Sequence, residues 1–326
     1  MQHRRLGKSG FQVSEIGLGC WQLGGDFGPV EDAVAGEILA TARTEGIDFW
    51  DTADVYGGGL SETRIGRHLE RQPGAVRVAT KVGRDAALYP DRYTRKAMRA
   101  SLTASARRLG VETLDLVQLH CVPTPVLRDG EVMNWMSGFR DEGLLRAFGA
   151  SVETLEEAQL ALRHPELASL QIIFNLFRQD AIRELFPAAR ARDVGIIVRL
   201  PLASGVLAGR MRPGQAFAPG DHRHYNREGA AFSQGETFSG LPFDTALALV
   251  EELRPMVPGG CSMAQFAMRW ILDHPEVSTV ITGASRPAQV RENASVSALP
   301  PLPAVLHQRL AEFYRQRVKD AIRVPV

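Results

Sequence analysis

The alternation of short apolar segments with longer amphipathic stretches constrains the fold of this chain more than any other feature of its sequence. Most of the short segments are continuous apolar runs, which is typical of parallel strands that are covered on both faces. The stretches between them carry helix signals, such as a glycine stop at Gly46 and at Gly110. The predicted strands are residues 15–21, 47–53, 76–82, 114–120, 147–152, 169–175, 196–202 and 279–285.

Eight strand–helix units in 326 residues predict a (β/α)8 barrel, the TIM barrel, in which residues 1–326 form a single domain. An open, doubly wound sheet is the alternative, but its first strand–helix turn usually carries a G-x-G-x-x-G fingerprint. The segment GLGCWQLGG (17–25) lacks that spacing, which favours the barrel. An N-terminal β-hairpin around Gly7–Gly10 is expected to close the barrel bottom, and residues 203–243 predict a long loop after strand 7.

Composition narrows the classes of function. The charges nearly cancel, with 38 Lys and Arg against 37 Asp and Glu, and no long basic block is present, so we expect no nucleic-acid partner. The three cysteines form no C-x-x-C pair, so we expect neither disulfides nor a zinc site and infer a reducing compartment. The first residues lack the apolar segment of a signal peptide, and no run of about 18 apolar residues is present. We therefore expect a cytoplasmic protein without a membrane span.

Four polar side chains follow three neighbouring predicted strands, at the strand ends where a barrel of this kind carries its chemistry. Asp51 ends strand 2, and Tyr56 lies in the glycine-rich turn after it. Lys81 ends strand 3, and His120 ends strand 4. Each alone has a structural interpretation, as a turn residue, a packed ring, a solvated amine or a rim histidine. Their convergence on one spot favours a shared chemical role.

That role is proton transfer. A free phenol has a pKa near 10, and an ammonium group within about 4–6 Å lowers it. Asp51 beside Lys81 is expected to keep the ammonium charged, and His120 is placed to bond a substrate carbonyl. The group therefore predicts a proton donor, Tyr56, for an oxygen that becomes alkoxide-like, as in carbonyl reduction by hydride transfer.

The motifs around these residues have a family resemblance. DTADVYGGGLSE (51–62), VATK (78–81), QLH (118–120) and VITGASRPAQVRENA (280–294) resemble the signatures of the aldo-keto reductase superfamily, in order and over nearly the whole chain. The resemblance implies a (β/α)8 barrel, a nicotinamide cofactor extended across the barrel mouth, and reduction of a small-molecule aldehyde or ketone. It also implies that the catalytic residues are Asp51, Tyr56, Lys81 and His120.

The resemblance further implies which residues contact the cofactor. Cys20 and Trp21 match positions at its nicotinamide end. Ser151 and Gln171 match ligands of the carboxamide, although Val152 stands where the family usually has Asn. The segment PLASGVLAGR (201–210) resembles a pyrophosphate loop whose backbone N–H groups approach the phosphates, or is a plain glycine-rich turn. Its candidate residues are Leu202, Ser204, Gly205, Leu207 and Gly209.

The segment GASRPAQVRENA (283–294) joins the last strand to a helix N-terminus, and helix N-termini attract anions. The resemblance implies that this segment binds the adenosine 2′-phosphate and the adenine of the cofactor. Many relatives have Lys at the position of Gly283 and Arg at that of Gln289, and both charges are absent here. We expect NADP because Arg286 suits a phosphate, with NAD as the alternative. The candidate residues are Gly283, Ser285, Arg286, Gln289, Glu292 and Asn293.

Arg199 is unusual because many family members place an aromatic residue at this strand end, where it stacks on the nicotinamide. One hypothesis is that the Arg199 guanidinium stacks there instead, and the other is that Arg199 only pairs with a carboxylate.

Two other functions compete with carbonyl reduction. The first is a cofactor-binding regulatory subunit of the potassium-channel β type. The second is a metal-dependent hydrolase, for which His222 and His224 give the only H-x-H spacing; we expect no metal.

Overall fold

The computed structural model describes residues 1–25 and 27–326 and confirms the barrel. Eight parallel strands close on themselves in the order β10-β3-β4-β5-β6-β7-β8-β9. The barrel strands are β3 (Ile16–Gly19), β4 (Phe49–Asp51), β5 (Arg77–Val82), β6 (Leu114–His120), β7 (Leu145–Ser151), β8 (Ser169–Ile173), β9 (Gly195–Arg199) and β10 (Val277–Gly283). Each lies within or overlaps one of the apolar segments that predicted it.

Helices follow every barrel strand and cover the outside of the sheet. They are α1 (Asp32–Thr44), α2 (Leu60–Arg71), α3 (Arg95–Leu109), α4 (Thr124–Asp129), α5 (Glu131–Asp141), α6 (Leu155–Ala161), α7 (Leu185–Ala191), α8 (His222–Tyr225), α9 (Phe243–Leu253), α10 (Met263–Leu272), α11 (Pro287–Ser295) and α12 (Ala304–Phe313). Local sequence fixes several ends. Capping boxes at Thr154 and Ser262 start α6 and α10, and Gly110, in a left-handed conformation, ends α3.

The predicted N-terminal hairpin is present and closes the bottom of the barrel. Strands β1 (His3–Arg5) and β2 (Gln12–Ser14) pair antiparallel. Leu6 and Val13 of the hairpin are fully buried and pack against Phe49, Leu116 and Ile197 inside the barrel. The hairpin thus completes the core at the end opposite to the carboxyl ends of the strands.

The long loop after β9 folds over the other end of the barrel. Ser204 Oγ donates a hydrogen bond to the carbonyl of Glu236 at 2.9 Å, which ties the start of the loop to its later part. Asn175, just after β8, donates through Nδ2 to the carbonyl of Leu200 at 2.9 Å and to Ser239 Oγ at 3.0 Å. These bonds fix the loop as a wall at the carboxyl ends of the strands.

Across the residues that the structure describes, no helix combines the length and the apolar composition needed to cross a membrane.

The hairpin provides a test of the packing at the barrel bottom. Gly7 has φ +48°, and a Cβ there would lie 2.3 Å from Gly195 N and 2.5 Å from the carbonyl oxygen of Ala168. We expect Gly7→Ala to lower the free energy of unfolding by roughly 2–4 kcal/mol, because overpacking adds to the cost of a left-handed backbone. Urea denaturation measures the change.

Gly10 provides the matched control, because it has φ +77° but no atom within 4 Å of a built Cβ. Gly10→Ala should lose only about 1 kcal/mol, from the backbone conformation alone. Equal losses in the two variants would contradict close packing of the hairpin.

Candidate active site

The barrel register brings the four candidate side chains to one end of the barrel. Asp51 is the last residue of β4, Lys81 lies near the end of β5, and His120 is the last residue of β6. Tyr56 begins the short 3-10 turn Tyr56–Gly59 that follows β4. In a barrel of parallel strands, all of these ends face the same side, so neighbouring strands present their last residues to one volume.

The glycine turn after Tyr56 is required by a close backbone approach. Gly57 has φ +59°, and a Cβ there would lie 2.4 Å from the carbonyl oxygen of Gly24. The turn therefore packs directly against the segment that carries Trp21. The rings of Trp21 and Tyr56 stack with their centroids 5.8 Å apart, which fixes the phenol at the edge of the cavity.

A buried ammonium group links the acid to the phenol. Lys81 Nζ lies 2.5 Å from Asp51 Oδ1, 2.8 Å from the carbonyl oxygen of Thr52 and 3.1 Å from the Tyr56 hydroxyl. The lysine side chain is only 1% exposed. An ammonium group has three donors, and these three oxygens use all of them. Lys81 is therefore locked in place and contacts the phenol oxygen directly.

Asp51 is held from its other side by two amides. Gln171 Nε2 donates to Asp51 Oδ2 at 2.7 Å, and Gln118 Nε2 approaches the same oxygen at 3.4 Å. Ser151 Oγ in turn donates to Gln171 Oε1 at 3.1 Å. The sequence analysis missed Gln118. The sequence spacing could have identified Gln118, because Gln118 and His120 are two residues apart on one strand and so share the face that points into the barrel.

The electrostatics differ from the sequence prediction in one respect. Burial raises the pKa of Tyr56 to about 12; Lys81 opposes this rise and Asp51 adds to it. The predicted lowering of the phenol pKa is therefore wrong for this structure, because desolvation and the Asp51 carboxylate outweigh the ammonium. Tyr56 is a neutral hydroxyl at physiological pH.

The pKa values of the neighbouring groups are shifted as well. Burial would lower the pKa of Lys81, but Asp51 and Tyr56 outweigh it and the pKa lies above its ordinary value. Burial raises the pKa of Asp51, and Lys81 and the Gln171 amide oppose that rise. Burial, with Arg84 and Lys81, holds the pKa of His120 well below its usual range, so its imidazole is neutral.

A cleft at the barrel mouth collects many of the predicted residues. Tyr56, His120 and Asp51 line it, together with Trp21, Phe27 and Glu236. The following predicted contact residues also line the cleft: Trp21, Ser151, Gln171, Arg199, Leu202, Ser204, Gly205, Gly283, Ser285 and Gln289. The remaining ones, Cys20, Leu207, Gly209, Arg286, Glu292 and Asn293, are not among its lining residues.

A family model described as the aldo/keto reductase family matches residues 15–315. The chain is 31% identical to the probable voltage-gated potassium channel subunit beta of Oryza sativa subsp. japonica over 316 residues, 93% of each chain. It is 28% identical to the NADH-specific methylglyoxal reductase of Escherichia coli (strain K12), covering 89% of this chain and 91% of the relative.

The fold has a matching solved structure. The glycerol dehydrogenase of Gluconobacter oxydans superposes with a TM-score of 0.79 at 28% identity, covering 97% of this chain and 96% of that chain. The chain belongs to the aldo/keto reductase family. Proteins of this family are oxidoreductases that act on small-molecule carbonyl compounds and bind nicotinamide cofactors, and this chain has their barrel and a cleft at the expected barrel end.

Some of the residues expected at the aldo/keto reductase cofactor are buried or use their polar groups within the protein. Cys20 is fully buried, its thiol faces the carbonyl oxygen of Leu18 at 3.7 Å, and burial raises its pKa. Leu207 is also fully buried in the core. The amides of Gly205 and Leu207 donate to the carbonyl of Leu202, and that of Gly209 donates to Val206. The expectation that these three backbone N–H groups approach phosphates is therefore wrong, because the loop uses them itself.

The segment after β10 is also partly committed to its own structure. Gln289 Oε1 accepts hydrogen bonds from Ser285 N at 2.8 Å and from Ser285 Oγ at 3.1 Å. Asn293 Nδ2 donates to the carbonyl of Gly283 at 3.4 Å. The predicted Gln289 and Asn293 thus hold the start of α11. Glu292 pairs instead with Arg210 at 3.2 Å.

Arg286 and Gln22 are the notable groups at this side of the cleft. Arg286 is the N-cap of α11 and is exposed, and within the described residues its side chain has no hydrogen bond or ion pair. Gln22 lines the cleft, and its Nε2 would lie 2.0 Å from a Cβ at position 283. Gln22, which the sequence analysis missed, therefore fills the space that a longer side chain at Gly283 would need.

Arg199 makes the ion pair that one hypothesis expected and still lines the cleft. Its Nη2 donates to the carbonyl of Val152 at 2.9 Å, and its Nη1 lies 3.6 Å from Glu236 Oε1. N–H bonds of a guanidinium lie in its plane, so these contacts leave its faces uncommitted. Stacking on a nicotinamide ring remains compatible with the pairing.

The metal-site hypothesis gains no support from His222 and His224. His222 is buried between Trp21 and Phe27, whereas His224 is exposed, so the two rings do not converge. Cys121, Glu153 and Glu236 place ligand atoms within 4.8 Å of one another. Arg84 Nη2 already bridges both of these carboxylates, at 2.6 and 2.8 Å. This cluster is neutralised by arginine cations, which a metal ion would have to displace.

Proposed function

We propose that this protein is an NADPH-dependent carbonyl reductase that converts an aldehyde or ketone to an alcohol, with Tyr56 as the proton donor. The observation that carries the proposal is the buried Lys81 ammonium, which contacts both the Asp51 carboxylate and the Tyr56 hydroxyl. No simple structural role explains why a lysine that is 1% exposed should contact a phenol that faces a cleft.

The proposed roles follow from charge and position. Tyr56, with a pKa of about 12, is protonated at neutral pH and can give its proton to a substrate oxygen that becomes an alkoxide, a much stronger base. Lys81 stabilises the phenolate left behind, and Asp51 holds Lys81 charged and in position. When bound, the nicotinamide cofactor supplies the hydride.

His120 is the second polar group at the substrate oxygen in this proposal. Its imidazole is neutral, and Nδ1 is buried with no partner among residues 1–25 and 27–326. With no acceptor at Nδ1, the single proton favours Nε2. A donor N–H is then available to orient the carbonyl beside the Tyr56 hydroxyl. The rings of Tyr56 and His120 are nearly perpendicular, with their centroids 5.8 Å apart.

The cleft also suits the cofactor. Ser151 Oγ donates to Gln171 and keeps lone pairs for an amide N–H, which supports a contact with the carboxamide. The N-terminus of α11 and the exposed Arg286 suit the adenosine 2′-phosphate. NADPH is the proposed donor for this reason. The NADH-specific relative and the absence of Lys and Arg at Gly283 and Gln289 make NADH the alternative.

A regulatory subunit of the potassium-channel β type is the second candidate, because the chain resembles the rice channel-subunit protein over 93% of its length. The complete group of Asp51, Tyr56, Lys81 and His120 favours the enzyme. Turnover of 4-nitrobenzaldehyde distinguishes the two candidates. If neither NADPH nor NADH supported turnover, the reductase proposal would be contradicted.

Replacement of Tyr56 by Phe tests the proton donor. Loss of a general acid typically costs about 10²–10⁴ in rate, and Phe keeps the stacked ring, so we expect kcat to fall by that factor while the cofactor Kd is unchanged. Steady-state kinetics and cofactor fluorescence titration measure the two. Tyr89→Phe, at a tyrosine that is 43% exposed, is the control. A Tyr56→Phe variant that retains most of its kcat would contradict the assignment.

Replacement of Arg286 by Ala tests the cofactor preference. A hydrogen bond to a charged group contributes about 1.5–3 kcal/mol, so we expect KM for NADPH to rise roughly ten- to a hundredfold with little change for NADH. Arg291→Ala, on the same helix and 61% exposed, should change neither value. Equal effects of Arg286→Ala on the two cofactors would show that Arg286 does not bind the 2′-phosphate.

Replacement of Arg199 by Tyr tests the stacking hypothesis. The oxidised nicotinamide ring is positively charged and the reduced ring is not, so a stacked cation disfavours NADP⁺. Arg199→Tyr should lower the ratio of the NADP⁺ and NADPH dissociation constants about fivefold, equivalent to about 1 kcal/mol. Calorimetry measures both constants, with Arg146→Tyr, outside the cleft, as the control. An unchanged ratio would leave Arg199 as an ion-pair residue only.

A further inference from the structure

A cluster of four charged side chains lies beside the proposed reaction site, and none of the four takes part in the proton transfer described above. It consists of Arg84, Glu153, Arg199 and Glu236, and we call it the arginine–glutamate cluster. Arg84 follows β5, Glu153 follows β7, Arg199 ends β9, and Glu236 belongs to the long loop. The cluster therefore joins the loop wall to three different strand ends.

The contacts within the cluster are unequal. Arg84 Nη2 lies 2.6 Å from Glu153 Oε1 and 2.8 Å from Glu236 Oε1, which are short, charge-assisted hydrogen bonds. Arg199 Nη1 lies 3.6 Å from Glu236 Oε1, too far for a hydrogen bond. Arg199 Nε is buried and has no partner among the described residues. The Arg199–Glu236 pair is thus the loose contact in an otherwise tight cluster.

The loose pair is the part of the cluster that faces the cleft. Glu236 and Arg199 both line it together with Tyr56 and His120, whereas Arg84 and Glu153 are not among its lining residues. The Glu236 side chain is 7% exposed and that of Arg199 is 9% exposed. A molecule whose carbonyl reaches Tyr56 therefore meets one anionic acceptor and one cationic donor on the adjoining wall.

The contacts of Cys121 show that Arg199 and Glu236 lie close to His120. It directly follows His120, and its Sγ lies 3.8 Å from Arg199 Nη2 and within 4.8 Å of a Glu236 carboxylate oxygen. In addition, the Glu236 charge contributes to the raised pKa of Tyr56. Glu236 and Arg199 are therefore positioned for the substituent next to the carbonyl carbon rather than for a remote part of the substrate.

Glu236 is ionised when substrate binds. Burial alone would raise the pKa of Glu236, but Arg84 and Arg199 lower it to about 2. Burial and the neighbouring Glu236 instead raise the pKa of Glu153 to about 7. The two arginines therefore favour the ionised form of the carboxylate that faces the cleft.

A hydroxyl group matches this wall better than the other common substituents. It can donate to Glu236 Oε1 or Oε2 and accept from Arg199 Nη1, and so bridge the loose pair. A methyl group would remove water from both charges without replacing its hydrogen bonds. A carboxylate would contact Arg199 but would be repelled by Glu236.

We propose that Glu236 is a specificity-determining residue that selects carbonyl substrates with a hydroxyl group on the carbon next to the carbonyl and disfavours those with a carboxylate there. This inference rests on the proposed carbonyl reductase function, and it adds the substrate class. Arg199 supplies the complementary donor. Arg84, which is bonded to Glu236, holds the carboxylate in place.

Three small aldehydes test the proposal. Glycolaldehyde, acetaldehyde and glyoxylate differ only in carrying a hydroxymethyl, methyl or carboxylate group on the carbonyl carbon. The measurement is kcat/KM per free aldehyde, with saturating NADPH or NADH at one pH. We expect the wild-type protein to prefer glycolaldehyde. Hydration of each aldehyde is the same in every assay, so comparisons between variants do not depend on it.

Glu236→Gln removes the charge and keeps the shape. Because a charged hydrogen bond is roughly twice as strong as a neutral one, we expect the preference for glycolaldehyde over acetaldehyde to fall about fivefold. The preference for glyoxylate over acetaldehyde should rise about tenfold, since Arg84 and Arg199 are left without their counter-charge in the cleft. Glu236→Asp keeps the charge, so the preference for glyoxylate over acetaldehyde should not rise in that variant.

Glu153→Gln is the matched control, because it removes the other carboxylate bonded to Arg84 without changing the cleft lining. Its two preferences should stay within about twofold of wild type.

The proposal is overturned by unchanged preferences in Glu236→Gln, or by equal changes in Glu153→Gln. It is also overturned by a wild type that reduces 4-nitrobenzaldehyde but shows no preference for glycolaldehyde, a result that leaves the proposed function standing. A wild type that reduces no aldehyde overturns both proposals. If Glu236→Gln does not fold, the wild-type preference decides.

Discussion

The buried Lys81 ammonium is the interaction on which the site depends. A charge that is 1% exposed carries a large desolvation cost unless its donors are all bonded, and here Asp51, Thr52 and Tyr56 satisfy them. Removing Asp51 would leave an uncompensated charge in the barrel, and removing a neutral acceptor would leave one donor unpaired. The same requirement explains the two amides on Asp51, because they satisfy the oxygen that Lys81 does not reach.

The barrel register supplies this geometry without strain at the polar residues. Gly19 pairs with Asp51 across β3 and β4, Lys81 pairs with Gln118 across β5 and β6, and His120 pairs with Ser151 across β6 and β7. These three pairs join residues that are more than 30 positions apart in the sequence. Rigid strands fix the polar groups, so only the phenol depends on a loop, and the Gly57–Gly24 contact holds that loop in place.

The sequence was sufficient for the strands, the hairpin and the grouping of Asp51, Tyr56, Lys81 and His120, because these follow from local patterns and from the rule that parallel strand ends meet. The direction of the Tyr56 pKa shift was predicted wrongly, since burial depth is a property of the whole fold. The backbone amides of Gly205, Leu207 and Gly209 also could not be assigned from the sequence. Glycine content shows that a loop can turn tightly, but not that it satisfies its own N–H groups.

The loop wall shows most clearly what sequence patterns leave open. Glu236 lies in a 3-10 turn with no motif around it, and its position depends on Ser204, on Arg84 after a distant strand and on Arg199 at the end of β9. None of these contacts has a fixed spacing along the chain. The Lys81-centred group and the loop wall are thus specified differently, the first by strand ends and the second by a loop that crosses the barrel mouth. A change in that loop can therefore alter the lining of the cleft while the Lys81-centred group stays the same.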